Sequence, residues 1–204
     1  MTFGRTLIVI ALVTACSPSS QDQSAVGDPG LRDQLLARVA RDQAIRDTSV
    51  VQMRETGTNT PALIRSEQAV DSANLAWLKP QLERAGFPTM AQVGRDGVFA
   101  AALLVQHADD DPSFQAAVLP QIEAAFKAGV VSGEWVALLT DRVAKAQGRP
   151  QRYGTQATMT GVRLVIDPIA DSAQVDARRA AMGLPPLADY KRMLDSVYAP
   201  PQAP

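Results

Sequence analysis

Apolar residues recur at three- and four-residue spacing along most of the chain, a period that predicts helices with one buried face. Leu31, Leu35, Leu36, Val39 and Ile45 mark a first amphipathic helix over residues 30–48. Thr60 and Pro61 form a cap and first-turn pair for a second helix, whose stripe is Leu63, Val70, Trp77, Leu78 and Leu82. Pro80 lacks the N–H that a helix interior needs, so a break or kink is expected there. Asp96 is read as the cap of a third helix through residues 98–105, apolar on nearly every side and therefore expected in the middle of the domain. Asp111 and Pro112 open a fourth, with Phe114, Val118, Ile122 and Phe126 inward, a kink at Pro120 and a stop at Gly129. Ser132 begins a fifth, with Trp135, Leu138, Leu139 and Val143 on one face and Gly148 closing it.

The period changes after Pro150. Alternation over residues 155–160, the Thr160-Gly161 pair and the run Val162, Leu164, Val165, Ile166 predict a β-hairpin. Ser172 is read as the cap of a helix that ends at Gly183. Pro185-Pro186 then lead into a last helix carrying Leu187, Tyr190, Leu194 and Val197. The predicted fold is mainly α, a compact multi-helix array with one short β-hairpin near the C-terminal third.

The ends have a different character. Arg5, the apolar run Leu7 to Val13 and the small residues before Cys16 have the layout of a signal peptide. The run is far below the roughly 20 apolar residues that cross a bilayer as a helix. Val13-Thr14-Ala15-Cys16 resembles the lipobox of bacterial lipoproteins, which implies a lipid on Cys16 as the mature N-terminus. Ser17 follows where Asp would favour retention in the inner membrane, so the resemblance leans towards the outer membrane. Each buried methylene contributes about 0.8 kcal/mol, and lasting anchorage takes more than one acyl chain. The expected plan is a leader over 1–15, a lipidated flexible tether over 16–30, one domain over 31–198 and a disordered tail over 199–204. The partners expected are the membrane, through the lipid, and an envelope protein or cell-wall ligand.

Composition narrows the chemistry. With 20 basic and 21 acidic residues interspersed, the chain has no field that would gather phosphates, which argues against nucleic acid. Cys16 is the only cysteine, so no intramolecular disulfide is available. One histidine and one committed thiol cannot make a zinc site of the usual kind, and neither a phosphate-cradling Gly-x-x-x-x-Gly-Lys nor a Gly-x-Ser-x-Gly elbow is present. No cofactor or metal is expected. Asp109, Asp110 and Asp111 lack the spacing, glycine and distal Glu of a calcium loop, and read as a helix-capping turn.

The remaining candidates are polar. His107 at a helix C-terminus is favoured as the cation by the macrodipole, so titration near neutral pH is expected, with Asp109 close enough to orient it. The bland alternative is a histidine satisfying the last carbonyls of its helix. Asp42 and Arg46, four apart, are a surface pair unless buried, in which case a shared polar core follows. Asp141 and Arg142 are expected to pair with neighbouring helices. Gln151, Tyr153, Thr155 and Gln156 surround a flexible glycine and suit either a polar ligand or a turn that holds the hairpin to the helices.

Gln106-His107-Ala108-Asp109, Phe114-Gln115, Asp141-Arg142-Val143, residues 151–156 and Arg178-Arg179 with Gly183-Leu184-Pro185-Pro186-Leu187 together resemble domain-of-unknown-function family 6624 over roughly residues 31–198. The resemblance implies no activity. It implies that Gln106, His107, Asp109, Asp141, Arg142, Gln151, Tyr153, Thr155 and Gln156 are the family's typical polar positions, expected here as one cluster. Three readings stay open: a ligand- or partner-binding domain, a hydrolase or lyase with His107 as general acid/base, and a purely structural network. With no nucleophile beside the single histidine in a recognisable motif, the sequence favours binding or structure over catalysis.

Overall fold

The computed structural model describes residues 6–7, 26–160 and 163–198. It is mainly α, with seven helices among those residues: α1 (Pro29–Thr56), α2 (Pro61–Ala85), α3 (Met90–Gln106), α4 (Pro112–Lys127), α5 (Gly133–Ala146), α6 (Val175–Ala181) and α7 (Leu187–Tyr198). Strands β2 (Ala157–Thr160) and β3 (Arg163–Ile166) form the expected antiparallel hairpin, with Ala157 opposite Ile166 and Thr160 opposite Arg163. A short strand β1 (Thr6–Leu7) runs antiparallel along the other edge of β2. Residues 1–5 and 8–25, which hold the expected leader and Cys16, residues 161–162 and the expected tail over 199–204 lie outside the described residues.

α3 is the hub. It packs against α1, α2, α4 and α5, and its Ala100, Ala101, Ala102, Leu104 and Val105 are at most 2% exposed. Leu35 from α1, Leu78 and Leu82 from α2, Phe114, Val118 and Ile122 from α4, and Trp135 and Leu139 from α5 complete this core. A second, smaller core holds Ala157, Leu164, Tyr190 and Leu194, with Met53 from the far end of α1 packed against it.

Several helix ends differ from expectation. α1 runs eight residues past residue 48, to a left-handed Gly57, because no breaker intervenes. Its start is capped by Asp28, and Gly27 and Asp28 donate to the carbonyls of Ala91 and Gln92, so the last tether residues belong to the fold. α2 and α4 continue through Pro80 and Pro120; tertiary packing outweighs one lost backbone bond at each. α3 begins at Met90, not at Asp96, through a capping box between Thr89 and Gln92. Asp96 caps a restart: Gly94 is at φ 70°, ψ 177°, and the Asp96 carboxylate accepts from the N–H of Gly97 just after this kink. Ser132 precedes α5 without a side-chain cap bond. Ser172 starts a 3-10 turn (Ser172–Gln174), and α6 follows from Val175.

The C-terminal part is set against the bundle at one tight point. A Cβ on Gly133 would collide with the Met182 carbonyl, whose carbon lies 2.9 Å from that position. Gly133→Ala is therefore expected to destabilise by about 2 kcal/mol, as overpacking does. A chemical-denaturation midpoint equal to that of the natural protein would show that the contact relaxes freely.

Candidate functional site

α1 and α2 bury polar residues at positions of their stripes where apolar ones are usual. Asp42 is 0% and Arg46 2% exposed, so the pair belongs to the interior and not to the surface. The Arg46 guanidinium donates from Nη1 to Glu67 at 2.8 Å, from Nη2 to Asp71 at 2.5 Å and from Nε to Asp42 at 3.2 Å. Ser49 adds a bond to the other oxygen of Glu67 at 3.0 Å. One guanidinium thus faces three carboxylates, and one carboxylate keeps a proton. That one is Asp71, pushed up to about 7 by burial and by neighbouring Asp42 and Glu67, more than Arg46 pulls it down. Asp42 is held down at about 2: the bonds and charges of His107 and Arg46 outweigh its burial.

His107 caps the end of α3 and joins this network from the other side. Its Nδ1 lies 2.8 and 2.9 Å from the two Asp42 oxygens. Arg46 Nε lies 3.0 Å from the same Nδ1 and also reaches Asp42, so its one hydrogen can go to the carboxylate; with both Asp42 oxygens against Nδ1, the ring hydrogen is placed on Nδ1 and Nε2 is the acceptor. Asp109, expected to orient the ring, instead pairs end-on with Nη1 of Arg142 at 2.6 and 2.7 Å. The expectation of a neutral-range titration is also overturned. Burial, then Arg46, lower the His107 pKa to about 4, against the pull of Asp42. From 6.5 to about 4 is worth roughly 3 kcal/mol, and the opposing helix-end effect is only about 0.3–1 kcal/mol.

His107 and Asp71 therefore act on stability in opposite directions. The unfolded chain protonates His107 at a higher pH than the native state does, so this contribution is complete above 6.5 and lost as pH falls towards 4. Native Asp71 holds its proton above its ordinary 3.8, so its contribution is complete below 3.8 and lost as pH rises through about 7. Between pH 4 and 6.5 the two slopes oppose. Asp71→Asn is expected to uncover the His107 slope, with stability rising by about 3 kcal/mol across that window and the natural protein rising much less. Equal rises in both proteins would show that Asp71 titrates as an ordinary carboxylate.

Of these groups Glu67, Asp71 and His107 line a cleft of about 280 Å³, together with Gln115, Arg142 and Lys145 among others. Gln115, 1% exposed, donates to the last carbonyls of α3, those of Val105 and Gln106, and to Asp109. Asp42, Asp71 and His107 each bring an atom within 4.8 Å of the others, a spacing that a metal ion could span. Arg46 lies within bonding distance of all three, so a side-chain cation already occupies that role. The run of three aspartates is divided: Asp109 goes to Arg142, Asp110 accepts from Ser72, and Asp111 caps α4 while pairing with Lys79.

The other candidates are elsewhere. Consecutive helix residues do not share a face, and Asp141, next to Arg142, turns to the 151–156 loop. There its carboxylate accepts from the N–H groups of Arg152, Tyr153 and Thr155 and from the Thr155 hydroxyl, at 2.7–3.2 Å. Gln151 pairs through both side-chain atoms with the backbone of Gln156 and reaches the carbonyl of Asp167. Arg179 donates to the Tyr153 carbonyl, and the Tyr190 hydroxyl to that of Thr155. Gln106 donates to the Trp135 carbonyl, joining α3 to α5. The expected single cluster is thus two: His107, Asp109 and Arg142 line the cleft, while Asp141, Gln151, Tyr153, Thr155 and Gln156 pin the hairpin to the helices.

No curated protein and no solved structure matches the chain. A model described as a family of unknown function, DUF6624, matches residues 29–200, the span that carries both polar clusters, and the chain belongs to that family.

Proposed function

We propose that the domain is a ligand-binding module of the cell envelope, and that the cleft over His107 takes a small polar ligand. The observation that carries this reading is the Asp42–His107 couple. A 4%-exposed imidazole is held by Nδ1 to a buried carboxylate, while Nε2, without a partner among the described residues, is left for the cleft that His107 lines. A purely structural histidine would have both nitrogens engaged. The catalytic alternative gains the same oriented imidazole. However, a pKa near 4 makes it a weak base at neutral pH, and among the described residues no Ser, Thr or Cys lines the cleft.

The sequence supports display on a membrane through a lipid on Cys16, with the outer membrane facing the periplasm as its place. No helix among the described residues is long and apolar enough to cross a membrane. Cleavage before Cys16 would remove β1 and free the edge of β2. Cys16→Ala is expected to move the protein from the membrane to the soluble fraction, and continued membrane association would overturn the anchor.

The binding reading is tested through the single imidazole, which gives one unambiguous NMR signal. It is expected to titrate with a midpoint near pH 4 and, at pH 7, to shift saturably when soluble cell-wall fragments are added. A signal that no fragment moves would end the reading.

A further inference from the structure

The lining of the cleft is divided by charge according to the element that supplies it. α2 contributes Glu67 and Asp71, α5 contributes Arg142 and Lys145, and the turn between α3 and α4 adds Asp109 and Asp110. A simple anion would meet the carboxylates of Glu67, Asp109 and Asp110 there, and a simple cation would meet a guanidinium and an ammonium. A molecule carrying both charges a few bonds apart meets neither penalty.

Three side chains more than nine-tenths buried line this cleft and leave polar atoms unpartnered among the described residues. They are His107 at Nε2, Gln115 at Oε1, and Arg142 at Nε and Nη2. The first two are acceptors that suit an ammonium. The third is a donor: Asp109 engages only Nη1 and Nε is closed off by burial, so Nη2 is the N–H group left to take a carboxylate oxygen. Lys145 gives two of its three N–H groups to Asp167 and Thr158 and adds positive charge on the side of Arg142. At about 280 Å³ the cleft is at the small end of ligand pockets, which run from about 300 to 1,000 Å³.

We infer that the cleft binds a zwitterion of the amino-acid or short-peptide class, its ammonium between His107, Gln115 and Asp71 and its carboxylate on the guanidinium of Arg142. This rests on the ligand-binding reading above and specifies its ligand. The ammonium donates to Nε2 and Oε1, which is why His107 must be neutral. The carboxylate joins Asp109 on one guanidinium, so the ligand adds to the Asp109–Arg142 pair without displacing it.

The test uses L-alanyl-L-alanine, its N-acetyl form, its C-terminal amide and glucose, each titrated into the protein at pH 7 with the His107 signal and calorimetry as readouts. The dipeptide is expected to bind saturably, and blocking either end to weaken it at least tenfold. Arg142→Gln is expected to make the dipeptide and its amide bind equally; if that variant fails to fold, the comparison of blocked peptides on the natural protein decides. Blocked peptides that bind as well as the free one would overturn the inference. So would a cleft that answers to glucose or larger cell-wall fragments and to none of the peptides, although the binding reading would then stand. Silence towards every probe would end both.

Discussion

Replacing Arg46 by alanine is expected to destabilise the protein by about 3–5 kcal/mol, the usual result of removing one partner from a buried ionic network. For a chain of this size that corresponds to a fall in Tm on the order of 10 °C. The reason is charge balance. Arg46 is the only side chain hydrogen-bonded to all of Asp42, Glu67 and Asp71 among the described residues, and without it three carboxylates share an interior with a neutral imidazole. The loss should be smaller at pH 4, where Asp71 is already protonated, than at pH 8. Thermal melts at the two pH values check this, and a fall under about 1 kcal/mol at pH 8, the range of an exposed pair, would place Arg46 in effect on the surface.

Asp141→Asn is expected to cost about 2–4 kcal/mol, since hydrogen bonds to a charged acceptor contribute roughly 1.5–3 kcal/mol and are not additive. The asparagine side chain also presents an NH₂ towards N–H groups that need an acceptor. Amide hydrogen exchange should accelerate at Arg152, Tyr153 and Thr155, whose donors lose their partner. The imidazole signal of His107 should not move, because no hydrogen bond among the described residues joins Asp141 or its loop donors to His107, Asp109 or Arg142, and the link from the cleft to the hairpin runs through Lys145 to Thr158 and Asp167. A shifted His107 signal would show that the hairpin and the cleft are one coupled unit.

Much of the fold was legible in the sequence because its signals are local. Asp111-Pro112 and Gly129 bound α4 as expected, and the change to a period of two after Pro150 located the hairpin. Neither proline ends its helix, because the effect depends on what packs around it: Pro80 and Pro120 are embedded in helices held by the core on one side. The cap read at Asp96 found only the restart of α3 after the Gly94 kink, since the capping box of Thr89 and Gln92 opens the helix six residues earlier, at Met90.

The site was half legible. Strings around His107 and Arg142 marked residues of the cleft, but Arg46 and Asp42 beside His107 are 61 and 65 positions away, and adjacency in the chain pointed to Asp109 instead of Asp42. A signal did exist. Leu35, Asp42 and Ser49 are spaced by sevens on α1, and Glu67, Asp71, Asn74, Leu78 and Leu82 by threes and fours on α2, so acids stand in register with buried leucines. Polar residues at core positions of two helices are the trace that a buried ionic network leaves in a sequence. The 151–156 string had the opposite problem: amides and hydroxyls that suit a ligand equally suit a backbone, and here the backbone takes them.

The reach of α1 has a consequence for biogenesis. It begins beside α3 in the main core and ends with Met53 against Leu194 and its neighbours in the small one, where it also packs on α7. α1 thus finds some of its neighbours on α7, far later in the chain. A nascent chain cannot close this fold until α7 has emerged from the ribosome.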